Sequence, residues 1–257
     1  MKKTGSFLTL IIAACVFLTV GFACGSSDSP KPAENSSTTN GSPSPSSNSS
    51  STSTTKPAPK DIAGKYSTTG KNPDGGGQYE ATLEVINRDD VYQFRWDSKG
   101  NKYDGVGVQT DDRVAVAYTD GADGTGCGVT LYKINSDGSL DGKAGYWGNN
   151  SKETETAKRT SGTDLEGDYD IEGKNTKGET YKGKLSVKKS GDGYKFSWSG
   201  VNSFEGFGVK QGDYVSVGFG GANCSFVAYE IKSDGTLEGK WGGSGSTTFG
   251  TETAKKK

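Results

Sequence analysis

Two stretches, Tyr92-Gln93-Phe94-Arg95-Trp96 and Tyr194-Lys195-Phe196-Ser197-Trp198, carry the same pattern in distant parts of the chain. In each, aromatic side chains alternate with polar ones, which is the period of a β-strand with one apolar face. Similar runs recur on both sides, separated by turn signals such as Asp137-Gly138 and Asp234-Gly235. No segment has a convincing helical period, so the sequence predicts an all-β protein.

The motifs around these stretches occur twice in the same order, which indicates an internal duplication. We predict one domain from residues 61–160 and a second from residues 163–257. The matching segments include Gly64-Lys65-Tyr66 with Gly167-Asp168-Tyr169, Tyr103-Asp104-Gly105-Val106-Gly107-Val108 with Phe204-Glu205-Gly206-Phe207-Gly208-Val209, and Thr154-Glu155-Thr156-Ala157-Lys158 with Thr251-Glu252-Thr253-Ala254-Lys255.

Each copy contains about eight short strand patterns joined by short connections. Short connections exclude parallel crossovers, so each sheet is expected to be an antiparallel up-and-down meander. A meander of this size removes its edges by closing into a barrel. We therefore predict two tandem small barrels, each wide enough either to be filled by side chains or to hold one small ligand.

The N-terminus has the features of an export signal. Lys2 and Lys3 precede the uncharged, mostly apolar residues 7–23, and the segment closes as Val20-Gly21-Phe22-Ala23-Cys24. This closure resembles the bacterial lipobox, which implies a signal peptide over residues 1–23, a lipid on Cys24 and an anchor in the membrane. Gly25-Ser26 after the cysteine favours the outer membrane or cell surface. The alternative is an ordinary secretory signal cut near Ala23, with Cys24 incidental.

Residues 24–60 are rich in Ser, Thr and Pro, and contain no aromatic or branched aliphatic side chain after Cys24. Such a segment cannot bury enough surface to offset the entropy of ordering, so we expect a disordered linker. A net charge of −1 argues against a nucleic-acid partner. The absence of His, together with the absence of a Cys-x-x-Cys motif, argues against metal sites, and no cofactor is expected.

Large aromatic residues recur in both copies and are the candidate ligand-binding or core residues. They either line an apolar pocket or simply fill the barrels, because a small domain has little else for its core. They are Tyr66, Tyr92, Phe94, Trp96, Tyr132 and Trp147 in the first copy, and Tyr169, Tyr194, Phe196, Trp198, Tyr229 and Trp241 in the second.

Two further pairs occupy equivalent positions. Cys127 and Cys224 are either a disulfide that ties the two domains together or buried thiols. Glu155 and Glu252 are the starting point for any hydrolase hypothesis, but no second acid recurs with them as two-carboxylate catalysis requires. We interpret them as interior hydrogen-bond partners or members of salt bridges, and no residue is predicted to be catalytic. Acidic runs such as Asp89-Asp90 are interpreted as turn residues rather than calcium ligands.

Both copies open with Gly-x-Tyr, which resembles the Gly-x-Trp motif of the avidin and lipocalin (calycin) barrels. The Tyr-x-Phe-x-Trp series and the shared Thr-Glu ending resemble bacterial secreted proteins labelled fibronectin-binding. That resemblance implies a non-enzymatic envelope lipoprotein whose two modules bind an extracellular protein or glycan. The alternative is a carrier of a small apolar ligand inside each barrel, and the remote alternative is a hydrolase.

Overall fold

The computed structural model describes residues 60–121, 123–200, 202–221, 223–243 and 245–257. The predicted signal peptide, Cys24 and the linker up to residue 59 lie outside the described residues. The described residues form sixteen strands and one short 3-10 turn at Pro73–Gly75. The strands are β1 (Gly64–Lys71), β2 (Gln78–Arg88), β3 (Val91–Ser98), β4 (Asn101–Thr110), β5 (Arg113–Asp120), β6 (Cys127–Ile134), β7 (Leu140–Tyr146), β8 (Glu153–Arg159), β9 (Gly167–Lys174), β10 (Thr180–Ser190), β11 (Gly193–Gly200), β12 (Phe204–Gln211), β13 (Tyr214–Gly220), β14 (Ser225–Ile231), β15 (Leu237–Gly243) and β16 (Gly250–Lys256).

The strands close into two eight-stranded antiparallel barrels. The first barrel consists of β1–β5 and β14–β16, and the second consists of β6–β13. Every hydrogen-bonded pair of neighbouring strands is antiparallel, including the pairs that close each ring, β1 with β16 and β8 with β9. The predicted all-β fold with two closed up-and-down barrels is confirmed, and the architecture is consistent with a calycin-like fold.

The two barrels exchange strands, so the expectation that residues 61–160 and residues 163–257 each close a barrel of their own is wrong. After β5 the chain leaves the first barrel and forms β6–β8 of the second, and after β13 it returns as β14–β16. The register pairs Val116 of β5 with Val227 of β14, and Val217 of β13 with Thr130 of β6. Strands β6 and β14 are equivalent in the two copies, and therefore offer β5 similar pairing surfaces.

A disulfide joins the two places where the chain passes between barrels. Cys127 begins β6, directly after the first crossing, and Cys224 precedes β14 at the end of the second. Their Cα atoms are 5.7 Å apart, within the usual range for a disulfide. Of the two alternatives predicted for these cysteines, a disulfide or two buried thiols, the structure shows the disulfide, which links the barrels.

The barrels pack against each other through strands that are apolar on both faces. Residues 114–117 of β5 are all buried, with Val114 and Val116 inside the first barrel and Ala115 and Ala117 in the layer between barrels. Continuous apolar runs are typical of strands that are covered on both sides. Both barrels accordingly belong to one compact unit. The layer between them contains Val106, Val108, Val129, Leu131, Phe207 and Phe226.

One end of each barrel is closed by the segment that precedes its opening Gly-x-Tyr motif. Ile62 and Leu165 are buried, at 2% and 1% exposure, in the interior clusters of the first and second barrel. The Tyr66 hydroxyl donates to the Ile62 carbonyl oxygen at 2.6 Å, and the Tyr169 hydroxyl donates to that of Leu165 at 2.8 Å. The motif tyrosines therefore hold these closing segments in place, which leaves the opposite end of each barrel as its mouth.

Candidate functional site

The mouth of the first barrel contains a cavity of about 380 Å³. It lies at the end opposite Ile62, where β1, β3, β5 and β15 finish and β2, β4 and β14 begin. Its walls are largely aromatic, as is usual for small-molecule pockets. We call it the mouth cavity, and its aromatic lining residues are Tyr79, Trp96, Tyr103, Tyr118 and Trp241.

Glu252 of β16 lies deep in the mouth cavity, with only 5% of its surface exposed. Trp96 Nε1 donates to its Oε1 at 3.1 Å, and the Tyr229 hydroxyl donates to the same oxygen. The Tyr79 hydroxyl donates to Oε2 at 2.9 Å. Burial raises the pKa of the Glu252 carboxyl, and these donors oppose that shift because they favour the ionised form. The structure thus places Glu252 as an interior hydrogen-bond acceptor.

The rings of the mouth cavity contact one another at angles rather than in one stack. Trp96 and Tyr118 have centroids 5.2 Å apart with tilted planes, and Tyr103 meets Tyr118 edge-on at 6.0 Å. Tyr79 meets Trp241 edge-on at 6.1 Å across β1 and β16. Such angled contacts are a favourable arrangement of aromatic pairs.

Polar groups surround these rings. Ser225 is paired in register with Tyr118, and both residues line the cavity. Asp120, at the end of β5, supplies an exposed carboxylate on the rim of the cavity, and Asn72 and Ser98 line it as well. Among the described residues that line the mouth cavity there is no lysine or arginine. The site therefore combines aromatic walls with two carboxylates.

The second barrel repeats the buried carboxylate. Glu155 accepts hydrogen bonds from Trp198 Nε1 at 3.3 Å, from the Tyr181 hydroxyl at 3.1 Å and from the Tyr132 hydroxyl. Burial raises the pKa of this carboxyl too. The tetrad of one glutamate, two tyrosines and one tryptophan is therefore common to both barrels and holds their strands together from inside.

The mouth of the second barrel is filled by phenylalanine. Phe204 replaces Tyr103 and stacks on Trp198 with centroids 4.7 Å apart, and Phe219 replaces Tyr118 and lies 5.2 Å from Phe204. Gly128 occupies the position of Ser225, and a Cβ there would overlap the Phe219 ring. Tyr146 packs edge-on against Phe219 at 5.4 Å.

The aromatic residues predicted from sequence divide into several groups. Tyr66, Phe94 and Tyr229 are core of the first barrel, and Tyr132, Tyr169, Phe196 and Trp198 are core of the second. Tyr92 and Tyr194 are half-buried against those cores. Trp96 and Trp241 line the mouth cavity. Three of these placements are corrections that follow from the strand exchange: Tyr132 belongs to the first copy but fills the second barrel, whereas Tyr229 and Trp241 belong to the second copy but lie in the first barrel.

Trp147 lies outside both barrel interiors. Its Nε1 donates at 2.8 Å to the buried carboxylate of Asp104 in β4, which also accepts from Gln93 Nε2 and from Arg95 Nε at 3.2 Å. This cluster joins the loop after β7 to the wall of the first barrel. It is a structural contact between barrels and not part of the mouth cavity.

Sequence reasoning missed Tyr79, Tyr103, Tyr118 and Ser225 as site residues. For Tyr103, Tyr118 and Ser225 the signal lay in the differences between the copies, which have Phe204, Phe219 and Gly128 at the equivalent positions. Tyr79 gave no such signal, because Tyr181 stands at its position in the second copy. The acidic runs form turns, with Asp89 in the left-handed region at φ 61°. No group of acidic or cysteine side chains in the described part of the chain is arranged to hold a metal ion.

Comparison with known proteins finds no match: no protein-family model, no curated protein and no solved structure is similar to this chain. In the described ranges there is no helix of the length and apolar character needed to cross a bilayer. The class that the coordinates define is thus a protein of two strand-exchanged antiparallel barrels, one of which has an aromatic cavity at its mouth.

Proposed function

We propose that this chain is a non-enzymatic binding protein whose ligand site is the mouth cavity of the first barrel. The observation that carries the proposal is a cavity of about 380 Å³, walled by five aromatic rings above a buried carboxylate. Apolar concave walls with a few placed polar groups are the usual form of a small-molecule site. The mouth cavity has the size to enclose a small organic molecule or the end of a larger one.

The arrangement of Glu252 supports binding over hydrolysis. Both of its oxygens already accept hydrogen bonds from side chains fixed in the barrel wall. The same tetrad surrounds Glu155 in the barrel whose mouth is filled with phenylalanine rings. A group that is equally well held in both barrels is explained by its contribution to stability. Two-carboxylate hydrolysis needs a pair of acids that flank the reacting bond. The other acid of the mouth cavity, Asp120, lies on the exposed rim and does not form such a pair with the buried Glu252.

Ligand titration of the purified chain, followed by tryptophan fluorescence, tests the proposal because Trp96 and Trp241 line the cavity. The panel contains quaternary ammonium salts, monosaccharides and fatty acids. We expect a saturable response to at least one class. Ala81→Phe adds a ring inside the cavity and should weaken that response at least about tenfold. Thr82→Phe adds the same ring to the adjacent exposed position and is the matched control. No response across the panel would refute the proposal.

A second candidate is adhesion through the outer wall of the second barrel. There an open groove of about 1020 Å³ runs across β8, β9 and β10. Charged side chains pair along it, with Lys182 3.2 Å from Glu172 and Lys184 bonded to Asp170. A polar, mixed-charge groove suits a glycan or an extended protein segment. Binding of the purified chain to immobilised fibronectin and to a glycan array, compared with a Lys182→Glu, Lys184→Glu variant, tests this candidate.

Export and lipid anchoring complete the proposal and are supported by the lipobox-like closure at Cys24. Attachment of acyl chains to that cysteine would hold the barrels at the outer membrane or cell surface. Metabolic labelling with a fatty acid should mark the native chain and not a Cys24→Ser variant. Recovery of an unprocessed, unlabelled chain in the cytosol would contradict this part of the proposal.

A further inference from the structure

We infer that the ligand of the mouth cavity carries an organic cation, such as a quaternary or alkylated ammonium group, seated among the rings of Tyr79, Trp96, Tyr103, Tyr118 and Trp241. The inference rests on the proposed function and names the chemical class that this site would take.

The first argument is the kind of ring in the cavity. A cation is attracted to the electron-rich face of an aromatic ring, most strongly by tryptophan and then by tyrosine. The mouth cavity has two tryptophans and three tyrosines and no phenylalanine among its described lining residues. In the second barrel, Phe204 and Phe219 stand in place of Tyr103 and Tyr118, and they pack on each other. At these two positions, the more electron-rich rings belong to the barrel that has the cavity.

The second argument is charge. Glu252 and Asp120 place two carboxylates at the mouth cavity, and no basic side chain among its described lining residues balances them. Burial raises the pKa of Glu252, so the ionised carboxylate is held at a cost in free energy. A cation bound a few ångströms away would favour that ionised form, whereas a neutral ligand would leave the cost in place. An anion would be repelled.

The third argument is the way in which the carboxylate is shielded. Three donors already satisfy the oxygens of Glu252, so a ligand need not hydrogen-bond to it. Ammonium groups without free N–H bonds interact through charge and ring contact alone. The site therefore fits a group that brings charge without hydrogen-bond donors.

The decisive experiment compares two probes of one shape. Phenyltrimethylammonium and tert-butylbenzene differ by a charged nitrogen in place of a carbon. We expect the cation to bind the purified chain at least about tenfold more tightly, as followed by tryptophan fluorescence and calorimetry. Equal binding of the neutral analogue, or tighter binding of a monosaccharide, would overturn the inference and leave the proposed function standing. Failure of every probe in the panel would overturn both.

Substitutions locate the bound charge. Asp120→Asn should weaken the cation about twofold to fivefold and leave tert-butylbenzene unchanged, since an exposed carboxylate contributes modestly. Asp112→Asn, which removes an exposed acid in the turn between β4 and β5, at the other end of the barrel, is the control and should have no effect. If Asp120→Asn weakens both probes equally, the inference is wrong.

Glu252→Gln and Glu155→Gln form a second matched pair, because each removes the same charge from the same tetrad. We expect Glu252→Gln to weaken the cation more than tert-butylbenzene, and Glu155→Gln to change neither. Equal effects of the two variants on binding would show that the carboxylate acts through folding alone and would contradict the inference. If Glu252→Gln does not fold, Asp120→Asn decides the matter.

Discussion

The two barrels share their interior and differ at their mouths. In both, a glutamate buried on the last strand of its copy accepts hydrogen bonds from one tryptophan and two tyrosines. Above that tetrad the first barrel has tyrosines and a cavity, whereas the second has Phe204 and Phe219 packed against Trp198. Loss of two ring hydroxyls and of the Ser225 side chain accompanies the change from an open mouth to a filled one.

Comparison of equivalent positions in the two copies separates residues that maintain the fold from residues that form the mouth cavity. Residues kept in both copies, such as Glu155 and Glu252, maintain the architecture. Residues that differ at the same position, such as Tyr118 and Phe219, mark where one copy has a surface that the other lacks. The strand exchange also couples the two copies, because each barrel contains strands of both and neither copy can unfold without opening both barrels.

The largest effect should come from truncating the matched core rings. Phe94 stacks between Trp96 and Tyr229, and Phe196 stacks between Trp198 and Tyr132. Replacement of either by Ala should lower the free energy of unfolding by about 3–5 kcal/mol, measured by denaturant titration. Because the barrels share strands, each variant should still unfold in one transition. Two separate transitions would show that the barrels are independent after all.

Removal of the disulfide should have the next largest effect. Cys127 and Cys224 are separated by 97 residues, and their bond restricts the unfolded chain. The double variant Cys127→Ser, Cys224→Ser should lose about 2–4 kcal/mol of stability. Reduction of the native chain should reproduce the loss, and the double variant should not respond to reductant. A response of the double variant would point to another cause.

Exchange of the mouth residues should have smaller and unequal effects. Phe219→Tyr introduces a hydroxyl among packed rings beside Gly128 and should cost about 1–3 kcal/mol. Tyr118→Phe removes one hydroxyl from the partly open mouth cavity and should cost no more than about 1 kcal/mol. Thermal unfolding measures both. If Phe219→Tyr has no cost, the second mouth is less tightly packed than the ring contacts indicate.

The smallest effect is a dependence on pH. Burial raises the pKa of Glu155 and Glu252 above the ordinary value of 4.5, so near that pH the folded chain keeps protons that the unfolded chain has lost. Their contribution to stability is present below pH 4.5 and is lost as the pH rises through the folded-state pKa. The native chain should therefore gain stability on acidification from neutral pH relative to Glu252→Gln, and also relative to Glu155→Gln. A difference that is flat with pH would contradict the assignment.

Much of the fold was predictable from local patterns. The alternation in Tyr92-Gln93-Phe94-Arg95-Trp96 placed Phe94 and Trp96 on one face of β3, and the structure has both in the barrel interior. The turn residues at Asp89-Asp90 and Asp137-Gly138 stand between strands as expected. These features depend on a period of two residues and on backbone preferences, both of which are written into short segments of chain.

The mouth cavity was only partly predictable. Trp96 and Trp241 were candidates, but Tyr79, Tyr103 and Tyr118 were not singled out, because a partly buried tyrosine looks the same in sequence whether it faces a cavity or a neighbour. Glu252 was interpreted as an interior hydrogen-bond partner or a member of a salt bridge, and its three donors come from β2, β3 and β14. Contacts between strands so distant in sequence depend on closure of the barrel.

Local patterns in the sequence were sufficient to predict the strands, the duplication and two closed barrels, because hydrophobic period, turn chemistry and short connections act over short segments of chain. Which strands share a barrel depends on contacts between segments that are distant in sequence, and it became visible only in the folded chain. Equivalent strands of the two copies, β6 and β14, share the pattern of a mostly buried apolar strand, so the local pattern does not show which of them pairs with β5. The exchanged arrangement is stabilised by the apolar layer between the barrels and by the disulfide at the crossings, and both exist only once the two barrels are assembled.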